Sequence, residues 1–249
     1  MRLAGQVAVI TGSSRGIGRA VALAFARRGA RVVVNSRSDT DAGRSLVQSI
    51  NGSGGQALYV QADVSEQGNV ERLFAAAEDV FGPVDILVNN AGLTESVPIL
   101  ESTKDHWLRM LNLNLLSTVL CSVHAGRRMK KRGTGAIINT SSIRGLDATG
   151  REGVMAYSVA KAGVNSFTRT LAKELAPVVR VNAVLPGFVA TSYMDRVDDE
   201  LKESWLDEIP LRQFIAPGDL ADAYVFLAEA PYLTGTLLTA DAGFTLRPG

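Results

Sequence analysis

The 249-residue chain holds one cysteine, Cys121, and two histidines, His106 and His124. A lone cysteine closes no internal disulfide, which suits a reducing cytoplasm, and its helical surroundings mark Cys121 as a small buried hydrophobe. These three residues match no zinc-ligand spacing, so no metal is expected. Charge nearly cancels: 26 basic against 25 acidic residues leave a net charge of +1. Nothing global therefore points to nucleic acid or to a membrane surface. Long hydrophobic runs are also missing near the start, where Val7–Ile10 makes an apolar run of only four residues. That is too short for a secretion signal or a membrane span.

What is present suits one soluble α/β domain over residues 1–249: 46% hydrophobic and 20% charged residues. Short apolar runs alternate with amphipathic stretches. Strands are expected at 7–12, 31–36, 57–63, 85–92, 136–142, 179–187 and 236–241. Helices are expected at 16–30, 39–50, 66–82, 105–133, 155–176 and 217–230. The strands read as continuous apolar runs, as strands buried on both faces do. Alternation of this kind implies right-handed crossovers and a Rossmann-type, doubly wound parallel sheet of about seven strands with helices on both faces.

The stretch "TGSSRGIG" (11–18) lies between the first strand and the first helix. Gly12 permits a tight turn, and Gly16 and Gly18 remove side chains where backbone must come close. The helix N-terminus beyond offers free N–H groups and a positive dipole end to a pyrophosphate. Ser14, Arg15 and Ile17 belong to the same loop. At the end of the second strand, NAD sites usually carry an acid for the ribose 2′-hydroxyl. Here the sequence reads Asn35, Ser36, Arg37, with no acid before Asp39. Arg15 and Arg37 would suit a 2′-phosphate, so NADP(H) is expected over NAD(H).

In "MAYSVAKAG" (155–163), Tyr157 stands four residues before Lys161. On a helix the two share a face. A nearby ammonium favours the phenolate and so lowers the tyrosine pKa, which suits a proton donor working near neutrality.

"TGSSRGIG", "NNAG" (89–92), "INTSS", "YSVAK" and "RVNAVLPGFVAT" (180–191) occur in the order and spacing of the short-chain dehydrogenases/reductases. Over essentially its whole length the chain resembles that family, and most the branch of 3-oxoacyl-[acyl-carrier-protein] reductases and related ketoreductases. The resemblance implies that Tyr157 is the general acid in carbonyl reduction. Lys161 would lower its pKa and bond the nicotinamide ribose, and Ser142 would bond the substrate oxygen. Ser142 is preferred to Ser141 because the family's serine is normally the second of such a pair. Asn114 would complete a proton relay, with Asn112 as its rival. Asp63 would bond the adenine, with Val64 beside it. Asn90, Ala91 and Gly92 would line the cofactor cleft, Asn90 also bracing the sheet. Pro186, Gly187, Val189 and Thr191 would hold the carboxamide and pyrophosphate. A homotetramer, built through the long helix and the Tyr157–Lys161 helix, is implied as well.

Three departures from the family bear on specificity. The segment between Ser142 and Tyr157 is about two residues longer than usual and carries Arg144, Asp147, Arg151 and Glu152. Arg144 and Arg151 are candidate substrate contacts. "DAG" (241–243) replaces the usual Asp-Gly-Gly, so a slightly altered final turn is expected at Ala242. The region at about 188–214 reads as a lid of one or two amphipathic helices, with Tyr193, Met194, Trp205 and Leu206 as candidate contacts. Its five acids between Asp195 and Glu203 would not favour a highly anionic substrate. The basic run 127–132 is a solvated face or a dock for an acyl carrier protein, although Arg180 is the only basic residue after the Tyr157 helix to support docking. An NAD(H)-linked alcohol or sugar dehydrogenase, or a catalytically silent dinucleotide-binding protein, remain the other readings.

Overall fold

The computed structural model describes residues 3–147, 149–192 and 194–246. Fifteen regular elements alternate along the chain: β1 Val7–Ile10, α1 Gly16–Arg27, β2 Arg31–Ser36, α2 Thr40–Gly52, β3 Gln56–Gln61, α3 Gln67–Phe81, β4 Ile86–Asn89, α4 Lys104–Leu111, α5 Ser117–Arg132, β5 Gly135–Thr140, α6 Met155–Leu175, β6 Val179–Pro186, α7 Asp199–Glu208, α8 Pro217–Glu229 and β7 Leu237–Ala240. The strands form one parallel sheet of seven in the order β3-β2-β1-β4-β5-β6-β7. The order reverses between β1 and β4, and a crevice opens beyond the carboxyl ends of the strands at such a switch point.

Both faces of the sheet are buried, and successive residues alternate between them. Ala8, Ile10, Val32, Val34, Val88 and Ile138 pack with Phe25 of α1, Leu46 of α2 and Tyr224 of α8. Val7, Val9, Val33, Leu87 and Ile137 pack with Phe74 of α3, Cys121 of α5 and Leu171 of α6. The inner strands β1 and β4, flanked by helices on both sides, bury every side chain, which explains their unbroken apolar runs. Cys121 is buried there, and burial pushes its thiol up to about 12, so it behaves as a small hydrophobe.

The single helix expected over 105–133 runs from Lys104 to Arg132 with a π turn inside it. α4 ends at Leu111, a π-helical turn runs over Asn112–Leu116, and α5 begins at Ser117. Side chains compete here for helix carbonyls. Asn114 Nδ2 donates to Met110 O at 3.0 Å, and Ser117 Oγ donates to Leu113 O at 2.8 Å. Such bonds widen a helix locally, and π turns of this kind recur at functional sites. The lid region holds one short turn, Met194–Arg196, and one helix, α7.

The final turn is built around Ala242. Ala242 adopts φ +54°, a left-handed conformation that costs a residue with a Cβ roughly 1–2 kcal/mol. Asp241 holds the turn by accepting hydrogen bonds from Gly243 N at 3.0 Å and Thr245 N at 2.7 Å. Ala242→Gly should therefore stabilise the fold by about 0.5–1 kcal/mol, after the extra unfolded-state freedom of glycine is subtracted. Urea denaturation checks this; a lower midpoint for the variant would contradict it.

Candidate active site

The glycine loop sets the first wall of the crevice. Gly12 has φ +61°, and a Cβ there would lie 2.8 Å from Ala91 Cα. Only glycine lets the loop lie this close to the segment after β4. Asn90 fastens the two together: its Nδ2 donates to Thr11 O at 3.1 Å and Gly12 O at 3.0 Å. Thr11 Oγ1 accepts from the N–H groups of Asn90 and Ala91, both at 3.0 Å. Helix α1 then starts with no side-chain cap and no acid in its first turn. Its free N–H groups and positive dipole end fit a phosphate. Residues of the right kind for a dinucleotide are thus in place.

The crevice has a volume of about 600 Å³. Of the expected cofactor residues, Gly12, Ser14, Arg15, Gly16, Ile17, Ser36, Arg37, Asp63, Val64, Asn90, Ala91, Gly92, Tyr157, Lys161, Pro186, Gly187, Val189 and Thr191 all line it. Gly18 is the exception. It sits behind the loop, where a Cβ would come within 2.5 Å of Gly12 O, so it serves loop–helix packing.

The end of the crevice near β2 carries more acid than the sequence pattern implies. Asp39 reaches it, accepting from Ser14 Oγ at 3.3 Å and standing 3.8 Å from Arg15 Nε. Arg37 lies 4.0 Å from Asp63 Oδ2. Both arginines are well exposed, so these long pairs are worth well under about 1 kcal/mol and leave the guanidinium groups available. Asn35 also borders the crevice, with its side chain engaged within the fold. Its side chain accepts from Gly12 N and donates to the carbonyls of Val60 and Ala62.

At the other end, four expected catalytic residues meet. Asn114 is buried in the π turn, donating to Leu93 O at 2.9 Å and accepting from Leu93 N at 3.1 Å. Asn112 is exposed. Ser142 Oγ accepts from Arg144 N at 3.1 Å and lies beside the Tyr157 hydroxyl. Ser141 Oγ instead donates to Lys161 O at 3.0 Å, which ties β5 to α6. Lys161 is buried, at 3% exposure, and its Nζ donates to Thr140 O at 2.8 Å. Burial brings its pKa down to about 8. Nζ stands 5.6 Å from the centre of the Tyr157 ring.

One electrostatic expectation fails. Burial pushes the Tyr157 phenol above its ordinary value of 10.0. Opposing that push are hydrogen bonds from Ser142 and Thr94 and the charge of Arg144, not Lys161. The ammonium is directed to Thr140 O rather than to the phenol oxygen. The phenol is therefore held as the neutral, proton-bearing form.

Beyond Ser142 the crevice is lined by Arg144, Arg151, Met194 and Trp205. Tyr193 lies outside the described residues. Leu206 does not line the crevice. Sequence reasoning missed Leu93, Thr94 and Phe188, which do. Phe188 directly follows the Pro-Gly turn, and that position was the available signal. Arg128 and Arg132 of the basic run pair with Glu78 and Asp85, each at 3.1 Å. Arg180 donates to Leu227 O and Ala228 O at the end of α8. These three cations serve the fold.

A family model described as enoyl-(acyl carrier protein) reductase matches residues 12–245. A 3-oxoacyl-[acyl-carrier-protein] reductase of Synechocystis sp. is 41% identical over 98% of both chains. The chain belongs to the short-chain dehydrogenase/reductase family. Another relative in that family, the 3-oxoacyl-[acyl-carrier-protein] reductase FabG of Staphylococcus epidermidis, is 36% identical over 95% of this chain and 97% of its own. Among solved structures, a candidate gluconate dehydrogenase of Agrobacterium tumefaciens superposes with a TM-score of 0.91 at 32% identity, covering 97% of this chain and 96% of its own. A candidate short-chain alcohol dehydrogenase of Sinorhizobium meliloti 1021 gives a TM-score of 0.93 at 33% identity over 99% and 98%. As an oxidoreductase fold of this family, the chain presents a nicotinamide-type crevice.

Asn114→Ala would strip partners from both polar groups of Leu93 and from Met110 O, a loss of about 1–3 kcal/mol. Thermal unfolding should show a lower midpoint; an unchanged midpoint would mean that the π turn holds without the asparagine.

Proposed function

We propose that this chain is an NADPH-dependent ketoreductase that turns a ketone, such as a 3-oxoacyl thioester or a related carbonyl, into a secondary alcohol. The observation that carries this reading is the pairing of Ser142 with a proton-bearing Tyr157 on one wall of the crevice, with Lys161 buried beneath. The bound nicotinamide supplies hydride. Ser142 donates a hydrogen bond to the carbonyl oxygen and orients it. Tyr157 stabilises the charge that develops there and gives up the phenolic proton. Lys161 holds positive charge near the ring and offers its remaining N–H bonds to the ribose. Asn114 keeps the π turn open and orders the segment at Leu93 for a proton path. A neutral phenol beside a serine hydroxyl suits the oxygen of a ketone, on which negative charge develops as hydride arrives.

Asp63 and Val64 would hold the adenine, and Pro186 to Thr191 the carboxamide and pyrophosphate. Arg15 and Arg37 would bind the 2′-phosphate. A phosphate dianion gives each guanidinium a short, charge-assisted contact that the long pairs with Asp39 and Asp63 do not. Residues 188–214 act as the lid of one domain spanning 1–249. Leu116 and Val123 of the α5 region and Met155 and Val159 of α6 are exposed apolar side chains, which supports assembly into a homotetramer through these helices. Among the described residues no helix is long and apolar enough to cross a membrane, and a cytoplasmic site of action is our reading. Delivery of substrate on an acyl carrier protein rests on the relatives' names alone, because Arg128, Arg132 and Arg180 are engaged within the fold.

A second reading is an NAD(H)-linked alcohol or sugar dehydrogenase. Asp39, which reaches the crevice beside Ser14, favours it, since an acid there can accept from a ribose hydroxyl. A catalytically silent binder has no such support, because Asn114, Ser142, Tyr157 and Lys161 are all present.

Tyr157→Phe should lower kcat for ketone reduction by about 10²–10⁴-fold while NADPH still binds; full turnover would refute the assignment. Lys161, at about 8, is charged below that pH and neutral above it. Reduction draws on the charged form, so kcat/KM should fall as pH rises through about 8; a flat profile would exclude that role. Arg37→Ala should weaken NADPH binding roughly tenfold, about 1.4 kcal/mol, with NADH binding little changed. Equal losses for both cofactors would favour the second reading.

A further inference from the structure

Two guanidinium groups border the crevice beyond Ser142. Arg144 is two residues from that serine and its backbone N–H donates to Ser142 Oγ, so its place is fixed relative to the reacting end. Its guanidinium carbon lies 5.4 Å from the centre of the Phe188 ring and 5.3 Å from that of Phe244. Its Nη1 donates to Thr149 O at 2.7 Å, and Thr149 Oγ1 in turn bonds the carbonyls of Ile143 and Leu146. Arg151, from the lengthened segment, stands 5.3 Å above the Trp205 ring. Phe188 packs against both Trp205 and Phe244, so the five side chains form one aromatic–cationic corner.

A guanidinium held against aromatic rings by cation–π attraction keeps N–H groups for planar acceptors. Among the described residues, no carboxylate forms an ion pair with Arg144 or Arg151. The charged groups that act on Arg144 are Arg151, which repels it, and Glu208, which offsets it. Burial also works against its charge, yet arginine does not give up its proton. None of the five lid acids expected to repel an anion, Asp195 included, lines the crevice, and Glu208 is the lid acid that acts on Arg144. Asp198 caps α7 by accepting from Leu201 N, Asp199 pairs with Lys202, and neither lines the crevice. Glu200 and Glu203 are exposed.

We infer that Arg144 and Arg151 select a substrate that carries an anionic oxygen group, a carboxylate or a phosphate ester, a few bonds from its carbonyl. This rests on Ser142 and Tyr157 being the reacting end. A purely apolar acyl tail would instead bring methylene groups against two cations and leave both unmatched.

Trp205 lies against Arg151 and reports on the corner directly. With NADP bound, tryptophan fluorescence should respond saturably to succinate and not to the neutral isostere succinamide. A response to inorganic phosphate stronger than that to succinate would identify the phosphate ester as the group selected. Arg144→Gln and Arg151→Gln should each raise the half-saturating succinate concentration at least roughly tenfold, and Arg144→Lys and Arg151→Lys should recover part of the loss. Retained NADPH binding identifies folded variants. Equal responses to succinate and succinamide, no response to succinate or phosphate, or unaltered Gln variants would overturn the inference. Reduction of a neutral 3-oxo ester is followed in the same preparations. Reduction without the anion response leaves the ketoreductase reading standing and removes the inference. The anion response without reduction of any ketone does the reverse.

Discussion

The hydrogen bond from the Lys161 ammonium to Thr140 O joins the fold to its chemistry. A charge this deeply buried is tolerated only where it is hydrogen-bonded. Thr140 ends β5, and its hydroxyl bonds the buried Tyr224 hydroxyl of α8 at 2.9 Å. Ser141, the next residue, bonds back to the Lys161 carbonyl. One short stretch of strand thus grips α6 from one face of the sheet and α8 from the other. The register of Tyr157 over Ser142 follows from that grip. The same Lys161–Thr140 bond directs the ammonium to a backbone carbonyl and leaves it 5.6 Å from the centre of the Tyr157 ring.

The layering of the fold was legible because parallel strands buried on both faces must be apolar throughout. The glycine loop, Asn90 and the Tyr157–Lys161 pair were legible because each is a local pattern with a fixed geometric consequence. The π turn at Asn112–Leu116 was not, since hydropathy does not register whether Asn114 and Ser117 bond helix carbonyls or solvent. Nor was the raised pKa of Tyr157, which burial sets and no spacing records. Asp39 lies three residues beyond the end of β2, and only the path of the chain into α2 brings it to the crevice. The cation–π contacts of Arg144 with Phe188 and Phe244 join segments about 44 and 100 residues apart, beyond the reach of local pattern reading.

The shared family architecture accounts for hydride chemistry but not for its target. Relatives named for 3-oxoacyl reduction, a candidate gluconate dehydrogenase and a model described as an enoyl reductase all share this scaffold. What separates such activities is the acceptor placed at Tyr157 and the surface opposite it. In this chain a phenol and a serine hydroxyl, which we propose meet the substrate oxygen, share the crevice with an aromatic–cationic corner.

The most direct test of this account is wild-type turnover of NADPH against two matched thioesters, one 3-oxo and one 2-enoyl, followed by product analysis. The account predicts one 3-hydroxy product per NADPH consumed with the 3-oxo substrate, and no reduction of the enoyl substrate. Reduction of the carbon–carbon double bond with the ketone left intact would contradict it.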